Sequence, residues 1–593
     1  MAVHSKKEVF FFIPFFALFE MQNQTAEPEP VLATRWAKVV SAQSVHAEYP
    51  RPQLKRRRWL DLNGSWQYAI RSKDEVEPQK WDGRILVPFP IESSLSGVMK
   101  RVSENQRIWY RRTFGLSRSW KGGRILLHFG GVDWETDVWV NGKKVGNHKG
   151  GYDPFSFDVT EALHWNQENE IVVAVWDPTD KGTQPRGKQV QKPGGIFYTP
   201  SSGIWQTVWL EPVPETYIAS LRITPDIDKE KVVIEVNTNR SKHQTKASVK
   251  VYDGKRLIVE KNASCDAPIV LKIPKAKLWS PESPYLYRLR ISLSSGDHAE
   301  SYFGMRKVSL GKDEKGKTRI FLNGKPYFML GVLDQGFFPD GIYTAPTDEA
   351  LRYDIEIAKK LGFNTIRKHV KVEPARWYYW CDKLGMLVWQ DMPSGDRFIG
   401  VNDPDIRRSS ESAKQFEKEL KAMVESLYNH PSVVMWVIFN EGWGQFDTAR
   451  IAKWVKRLDG TRLVNTASGW VDRGVGDVLD IHDYPGPSAP PPQKNRASVL
   501  GEFGGLGFRV MGHTWSGEGW GYKTFDSEKE YTEAFITLLK QLQNLKENHS
   551  LSAAIYTQIT DVETEINGIL TYDRAKIKGD ASLLRKEIVR LRD

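Results

Sequence analysis

Two glutamates in this 593-residue chain stand where acid–base chemistry would need them. The apolar run Val433 to Phe439 (VVMWVIF) leads straight into Asn440-Glu441-Gly442-Trp443, and Ser498 to Leu500 leads into Gly501-Glu502-Phe503. A carboxyl at the end of a buried strand is costly unless a partner or a reaction uses it. Two such groups on one rim suit glycoside hydrolysis. One protonates the leaving oxygen while the other attacks the anomeric carbon, with the carboxyls roughly 5 Å apart in the retaining geometry. An ordinary salt-bridged rim carboxylate would explain one such glutamate, but a pair at two strand ends favours catalysis. Metal-dependent hydrolysis is disfavoured, because the 12 histidines are scattered without an H-x-H or H-E-x-x-H cluster. Cys265 and Cys381 are too few for a thiolate metal site or a disulfide framework.

These residues need a scaffold, and the chain changes pattern along its length. From about Trp59 to Val213 short strands alternate with turn signals such as Asn63-Gly64 and Asn141-Gly142, which predicts an all-β sandwich or jelly roll. From about Glu215 to Gly311, runs such as Lys231 to Val236 alternate in the β manner, over a length that suits an immunoglobulin-like sandwich. After about Thr318, strands alternate with helices. Thr347 is a predicted N-cap, with Leu351, Ile355, Ala358 and Leu361 at helical spacing before Gly362. A second helix carries Phe416, Leu420, Met423 and Leu427. Strand candidates near Met329, Thr365, Val388, Trp436, Val464, Leu479, Leu500 and Ile555 predict a (β/α)₈ TIM barrel, with a doubly wound sheet as the alternative where crossovers look short. In such a barrel the active site lies at the C-terminal strand ends, where Glu441 and Glu502 fall on the fourth and seventh strands.

The composition includes 22 Trp, 21 Tyr and 26 Phe, which sugar stacking or plain β-sheet packing would each explain. A net charge of +11 raises the question of an anionic partner. No nucleic-acid reader motif is present, so the basic runs Lys55–Arg58 and Arg186–Lys192 are either solvated faces or contacts for an acidic polysaccharide. Lys6 and Lys7 precede eleven apolar residues, Val9 to Phe19, which predicts a secretory signal peptide and export rather than a membrane span.

The chain resembles glycoside hydrolase family 2, the group of β-galactosidases, β-glucuronidases and β-mannosidases, across nearly its whole length. The resemblance is carried by Leu62-Asn63-Gly64-Ser65-Trp66, Trp109-Tyr110-Arg111-Arg112, Ser202-Gly203-Ile204-Trp205, Phe303-Gly304-Met305-Arg306, Gly362-Phe363-Asn364-Thr365-Ile366-Arg367 and Asn440-Glu441. It implies a leader and linker over 1–30, a jelly-roll sugar-binding domain over 31–214, an immunoglobulin-like sandwich over 215–311 and a catalytic TIM barrel over 312–593. It also implies Glu441 as acid/base, Glu502 as nucleophile and Asn440 on the sugar 2-hydroxyl. Arg367, His369 and Tyr484 would hold or orient the nucleophile, while His482, Asp334 and Asp391 would take sugar hydroxyls. Trp443, and less directly Trp389, would form a platform under the ring. The retaining mechanism needs no organic cofactor. The sequence leaves a divalent cation and homo-oligomerisation open.

The chain departs from the family after the eighth strand. Glucuronidases carry an Asn-x-Lys element there, where this chain reads Ile566-Asn567-Gly568-Ile569-Leu570, without the lysine. The eighth strand itself, Ile555-Tyr556-Thr557-Gln558, lacks the tryptophan common in the family. The expectation is an exo-acting β-galactosidase-like enzyme on oligo- or polysaccharides, including anionic ones. Glucuronidase, mannosidase or arabinopyranosidase activity, or a non-catalytic sugar-binding protein, are the alternatives.

Overall fold

The computed structural model describes residues 32–240 and 245–592. The predicted signal peptide lies outside the described residues. Two antiparallel sheets form the first sandwich. One has six strands, centred on Gln106–Phe114 between Gly64–Ser72 and Asn169–Trp176, and the other has four, around Arg124–Phe129 and Val208–Val213. Alternate residues enter the core, so Trp66, Ile85, Tyr110, Val138 and Ile171 of the large sheet meet Leu127, Phe129 and Leu210 of the small one. A second, smaller sandwich packs a three-stranded sheet led by Ile218–Asp226 on a four-stranded sheet led by Lys246–Asp253. Strand Lys231–Thr238 shows the period-two logic directly, burying Val232, Ile234 and Val236.

The remaining strands form a parallel barrel: β1 (Met329–Asp334), β2 (Thr365–Lys368), β3 (Leu387–Asp391), β4 (Val433–Asn440), β5 (Leu463–Ser468), β6 (Val478–Asp483), β7 (Ala497–Gly504) and β8 (Leu551–Thr557). Their ladder order is β5-β4-β3-β2-β1-β8-β7-β6, so the eight predicted strands are all present and the doubly wound alternative is excluded. No ladder joins β5 to β6 among the described residues. That seam is bridged locally, where Asp477 N donates to Val464 O at 2.8 Å and Val464 N donates to Asp477 Oδ2 at 2.7 Å.

Among the described residues six helices surround the barrel: α1 (Asp348–Leu361), α2 (Ala375–Leu384), α3 (Ser410–Leu427), α4 (Thr448–Leu458), α5 (Glu528–Asn548) and α6 (Ala581–Arg592). Thr347 caps α1 by accepting from Ala350 N, and Gly362 ends it in the left-handed region at φ 104°. The connections from β5 to β6 and from β6 to β7 carry no helix, which is why those crossovers read as short. A hairpin, Val308–Lys312 with Thr318–Leu322, plugs the N-terminal end of the barrel. Its Val308, Ile320 and Leu322 pack on the inward Met329, Leu387, Leu463 and Val499. No helix among the described residues is long and apolar enough to cross a membrane.

Candidate active site

Strand alternation decides which side chains face the cleft. On β2, Arg367 points into the barrel and Lys368 toward the surrounding helices. Arg367 donates from Nε and Nη2 to both oxygens of Asp391, at 3.0 and 2.9 Å, from Nη2 to Asn440 Oδ1 at 2.8 Å, and from Nη1 to Glu502 Oε1 at 3.2 Å. A fully buried guanidinium is thereby satisfied by one planar set of acceptors from β3, β4 and β7. Asp391 is 1% exposed and spent on this fork. The sugar-hydroxyl role expected for it gives way to positioning Arg367.

Asp334 is also corrected. It shares the outward parity of Leu330 and Val332, and its carboxylate takes Lys368 Nζ at 2.6 Å and Gly336 N at 2.8 Å. Lys368 and Lys371 then share Glu373, at 2.8 and 2.9 Å, so the group belongs to a buried ion cluster behind β2.

Glu441 and Glu502 come together. His482 Nδ1, on β6, lies 2.8 Å from Glu441 Oε1 and 3.6 Å from Glu502 Oε1. The three groups have ligand atoms within 4.8 Å of one another, the one set among the described residues near enough to hold a metal ion. A cation there would occupy both carboxylates. The ring's other nitrogen, Nε2, lies 2.7 Å from Ser468 Oγ, which donates to Asp480 Oδ2 at 2.6 Å. Both ring nitrogens are therefore committed. His482 is a partner of Glu441 rather than a free sugar-hydroxyl ligand.

Glu441 itself sits at φ 52°, an uncommon conformation for a residue with a side chain. Its N–H donates to Ser468 O at 2.8 Å, and Trp443 N donates back to Asn440 O at 2.8 Å, which holds the turn. Gly469 makes room for the pair: a Cβ there would lie 3.3 Å from both Glu441 Cγ and His482 Nδ1.

Burial raises the pKa of both glutamates, but neighbouring positive groups outweigh it. The hydrogen bond and charge of His482, with Lys188 and Arg367, hold Glu441 below the usual range. His482 and Arg367 do the same for Glu502, against repulsion from Glu441. His482 is itself raised: burial lowers it, and Glu502, Glu441 and Asp480 more than restore it. The opposite shifts, Glu441 down and His482 up, favour an ion pair that shares one proton. His369, 3.5 Å from Glu502 Oε1 and 2.9 Å from Gln335 through Nδ1, is driven well below its ordinary pKa by burial. Its proximity still counts, with His482 and Arg367, among the influences that lower Glu502.

Tyr484 donates to Glu502 Oε2, lies 2.9 Å from Thr557 Oγ1, and stacks on Tyr522 at 3.7 Å. The aromatic platform differs from expectation. Trp443 is 1% exposed, stacked under Phe398 at 5.0 Å and edge-on to Phe197 at 5.5 Å. Trp389 lies in the barrel core. The rings open to solvent are Phe398, Tyr522 and Trp470, the last edge-on to His482 at 5.7 Å. The sequence reading missed Trp470, whose one signal is an aromatic two residues beyond the strand-ending Ser468. Asp480 gave no comparable signal.

A nearly closed parallel barrel with a buried, charge-stabilised carboxylate pair at its C-terminal rim has the form of a glycosidase barrel. Residues 85–210 match the profile described as Glycosyl hydrolases family 2, sugar binding domain, 216–306 match Glycosyl hydrolases family 2, and 315–484 match its TIM barrel domain. The chain belongs to glycoside hydrolase family 2. A β-glucuronidase of Paenibacillus borealis is 28% identical over 68% of this chain and 72% of its own length. A β-galactosidase of Thermoanaerobacter pseudethanolicus is 31% identical over 57% of this chain, a stretch that spans only 45% of that protein. Among solved structures, a β-D-glucuronidase of Dictyoglomus thermophilum superposes with a TM-score of 0.73 at 20% identity, covering 91% of this chain and 98% of that one. A β-galacturonidase of Eisenbergiella tayi gives 0.69 at 20%, covering 92% and 99%.

Proposed function

We propose that the protein is a retaining, exo-acting β-glycosidase that removes the terminal sugar of an oligo- or polysaccharide by double displacement. One observation carries this reading: a Glu441 oxygen and a Glu502 oxygen lie within 4.8 Å of each other about a shared histidine. Inverting enzymes need roughly 6.5–9.5 Å to seat a water between the carboxyls, whereas about 5–5.5 Å suits direct attack. Glu502, kept ionised by Arg367 and oriented by Tyr484, attacks the anomeric carbon. Glu441 passes to the leaving oxygen the proton it shares with His482, then deprotonates the water that releases the sugar. Asn440, with its carbonyl taken by Arg367, has an amide nitrogen to offer the 2-hydroxyl.

A β-galactoside differs from a β-galacturonide only at the C5 substituent and from a β-glucuronide also in the C4 configuration, so charge at one end of the pocket bears on neutral sugar against uronide. Among the described residues the loop after β8 supplies no unpaired buried cation for a C5 carboxylate, so an anionic glycone needs one from another loop. In the loop after β8, Asn567 is bound to Glu565 and Gln558, Ile569 is buried, and Lys578 is paired with Asp561.

The test is azide rescue. Glu502→Ala should lose at least about 10⁴-fold in kcat on nitrophenyl glycosides and, with azide, give the α-glycosyl azide. Glu441→Ala should keep substrates with good leaving groups and give the β-azide. Undiminished turnover in Glu502→Ala would sink the assignment.

A further inference from the structure

Nearly every deeply buried cation in this protein has an anion of its own. Lys368 has Asp334 and Glu373, Lys578 has Asp561, Arg574 has Asp354, and Arg56 has Glu211 and Asp297. Arg306 lacks one but spends its guanidinium on the carbonyls of Pro431, Thr461 and Val433; Lys188, in the basic run Arg186–Lys192, has neither. It is only 6% exposed, yet no carboxylate among the described residues lies at ion-pair distance and no hydrogen bond joins its Nζ. The ammonium's recorded neighbour is the Phe197 ring, 5.6 Å away.

The loop that carries it is fixed to the barrel. Arg186 N and Gly187 N both donate to Ser394 O, at 2.8 and 2.9 Å, and Tyr198 N donates to Lys188 O at 2.9 Å. Gly187, at φ 64°, passes so close that a Cβ would lie 2.6 Å from Val370 O. Phe197 meets Trp443, two residues past Glu441, Arg186 lies 5.2 Å over the same indole, and the Tyr198 hydroxyl binds Glu565 beyond β8. Lys188 therefore stands over the barrel mouth, between the loops after β4 and β8. Its charge is felt on three loops: it lowers Glu441 and Glu565 and opposes protonation of His369.

The stem of Lys188 is buried while its Nζ keeps access to solvent, so an anion arriving there meets an ammonium with no competing carboxylate. The cleft itself presents two carboxylates, which repel an anionic sugar unless a cation offsets them. Arg367 is saturated by Asp391, Asn440 and Glu502, and the buried cations of the loop after β8, Arg574 and Lys578, are paired with Asp354 and Asp561. We propose that Lys188, carried by the first sandwich, receives an anionic group of the glycone, the C5 carboxylate of a hexuronide. The proposal rests on the glycosidase reading of this cleft.

The experiment compares kcat/KM for nitrophenyl β-D-glucuronide and β-D-galacturonide with the matching glucoside and galactoside, and with a 6-sulfated galactoside. Wild type, Lys188→Met and Lys188→Arg are each checked for an unchanged thermal midpoint. Wild type should prefer a uronide over its neutral counterpart. That preference ratio should fall about 100-fold in Lys188→Met and recover in large part in Lys188→Arg. A ratio unchanged within about threefold in Lys188→Met, or no preference in wild type, overturns the proposal. So does a proportional loss on every sugar, which marks a structural lysine. A Lys188-dependent preference confined to the sulfated sugar overturns the carboxylate and assigns the anion to a sulfate ester. Failure of the glycosidase reading looks different, because Glu502→Ala would then stay active on these same substrates.

Discussion

At the scale of single residues, the chain Glu441–His482–Ser468–Asp480 ties the acid to a buried carboxylate on the far side of an imidazole. Its consequence is a pH profile with two limbs of opposite cause. Glu502 must be ionised to attack. Its pKa is depressed, so activity is present above that pKa and is lost only as pH falls below the ordinary glutamate range, about 4.3. The transferable proton sits in the pair with His482, whose pKa is raised. Activity is therefore full below that pKa and is lost as pH rises through it. Asp480→Asn removes one of the negative charges that raise His482, so the alkaline limb of kcat/KM should move to lower pH. The acid limb should hold, and the optimum should fall about tenfold. An alkaline limb that does not move would remove His482 from the proton path. The two glutamates were legible because each ends an apolar run. The partners of Asp334, Asp391 and His482 were not, because a residue's place at a strand end does not tell which neighbour claims it.

At the scale of elements, eight apolar runs were enough to count the strands, since a parallel barrel strand is buried on both faces and reads as continuous hydrophobicity. The two crossovers that lack a helix could not be read so directly, because the absence of periodicity is a weaker signal than its presence. They flank the β5–β6 seam, where Asp477 takes the place of ladder pairing. Its Oδ2 accepts Val464 N at 2.7 Å and pairs with Lys456 at 2.7 Å. Asp477→Ala leaves a buried N–H without that acceptor and should cost about 1–3 kcal/mol, read from chemical denaturation. Because Ser468 and His482 stand on the two strands of this seam, kcat should fall as well. A variant as stable as wild type would show that barrel closure does not depend on this bridge.

At the scale of the whole molecule, the cleft is not a property of the barrel alone. Phe197, Tyr198 and Lys188 reach it from the first sandwich, more than 200 residues before Glu441 in the chain. No local pattern reveals such a loan, and the run Arg186–Lys192 read equally well as a solvated face. The resemblance of the three segments to family 2 gave the order of domains, whereas the packing of one against another emerges only in three dimensions. The central claim is that Glu502 becomes covalently glycosylated. A 2-deoxy-2-fluoro glycosyl fluoride of the preferred sugar slows both steps but leaves the first the faster, so the intermediate accumulates. Intact-mass measurement followed by peptide mapping should show one added glycosyl unit, carried by the peptide containing Glu502. Time-dependent inactivation with the label on any other residue, or turnover without a covalent adduct, would contradict it.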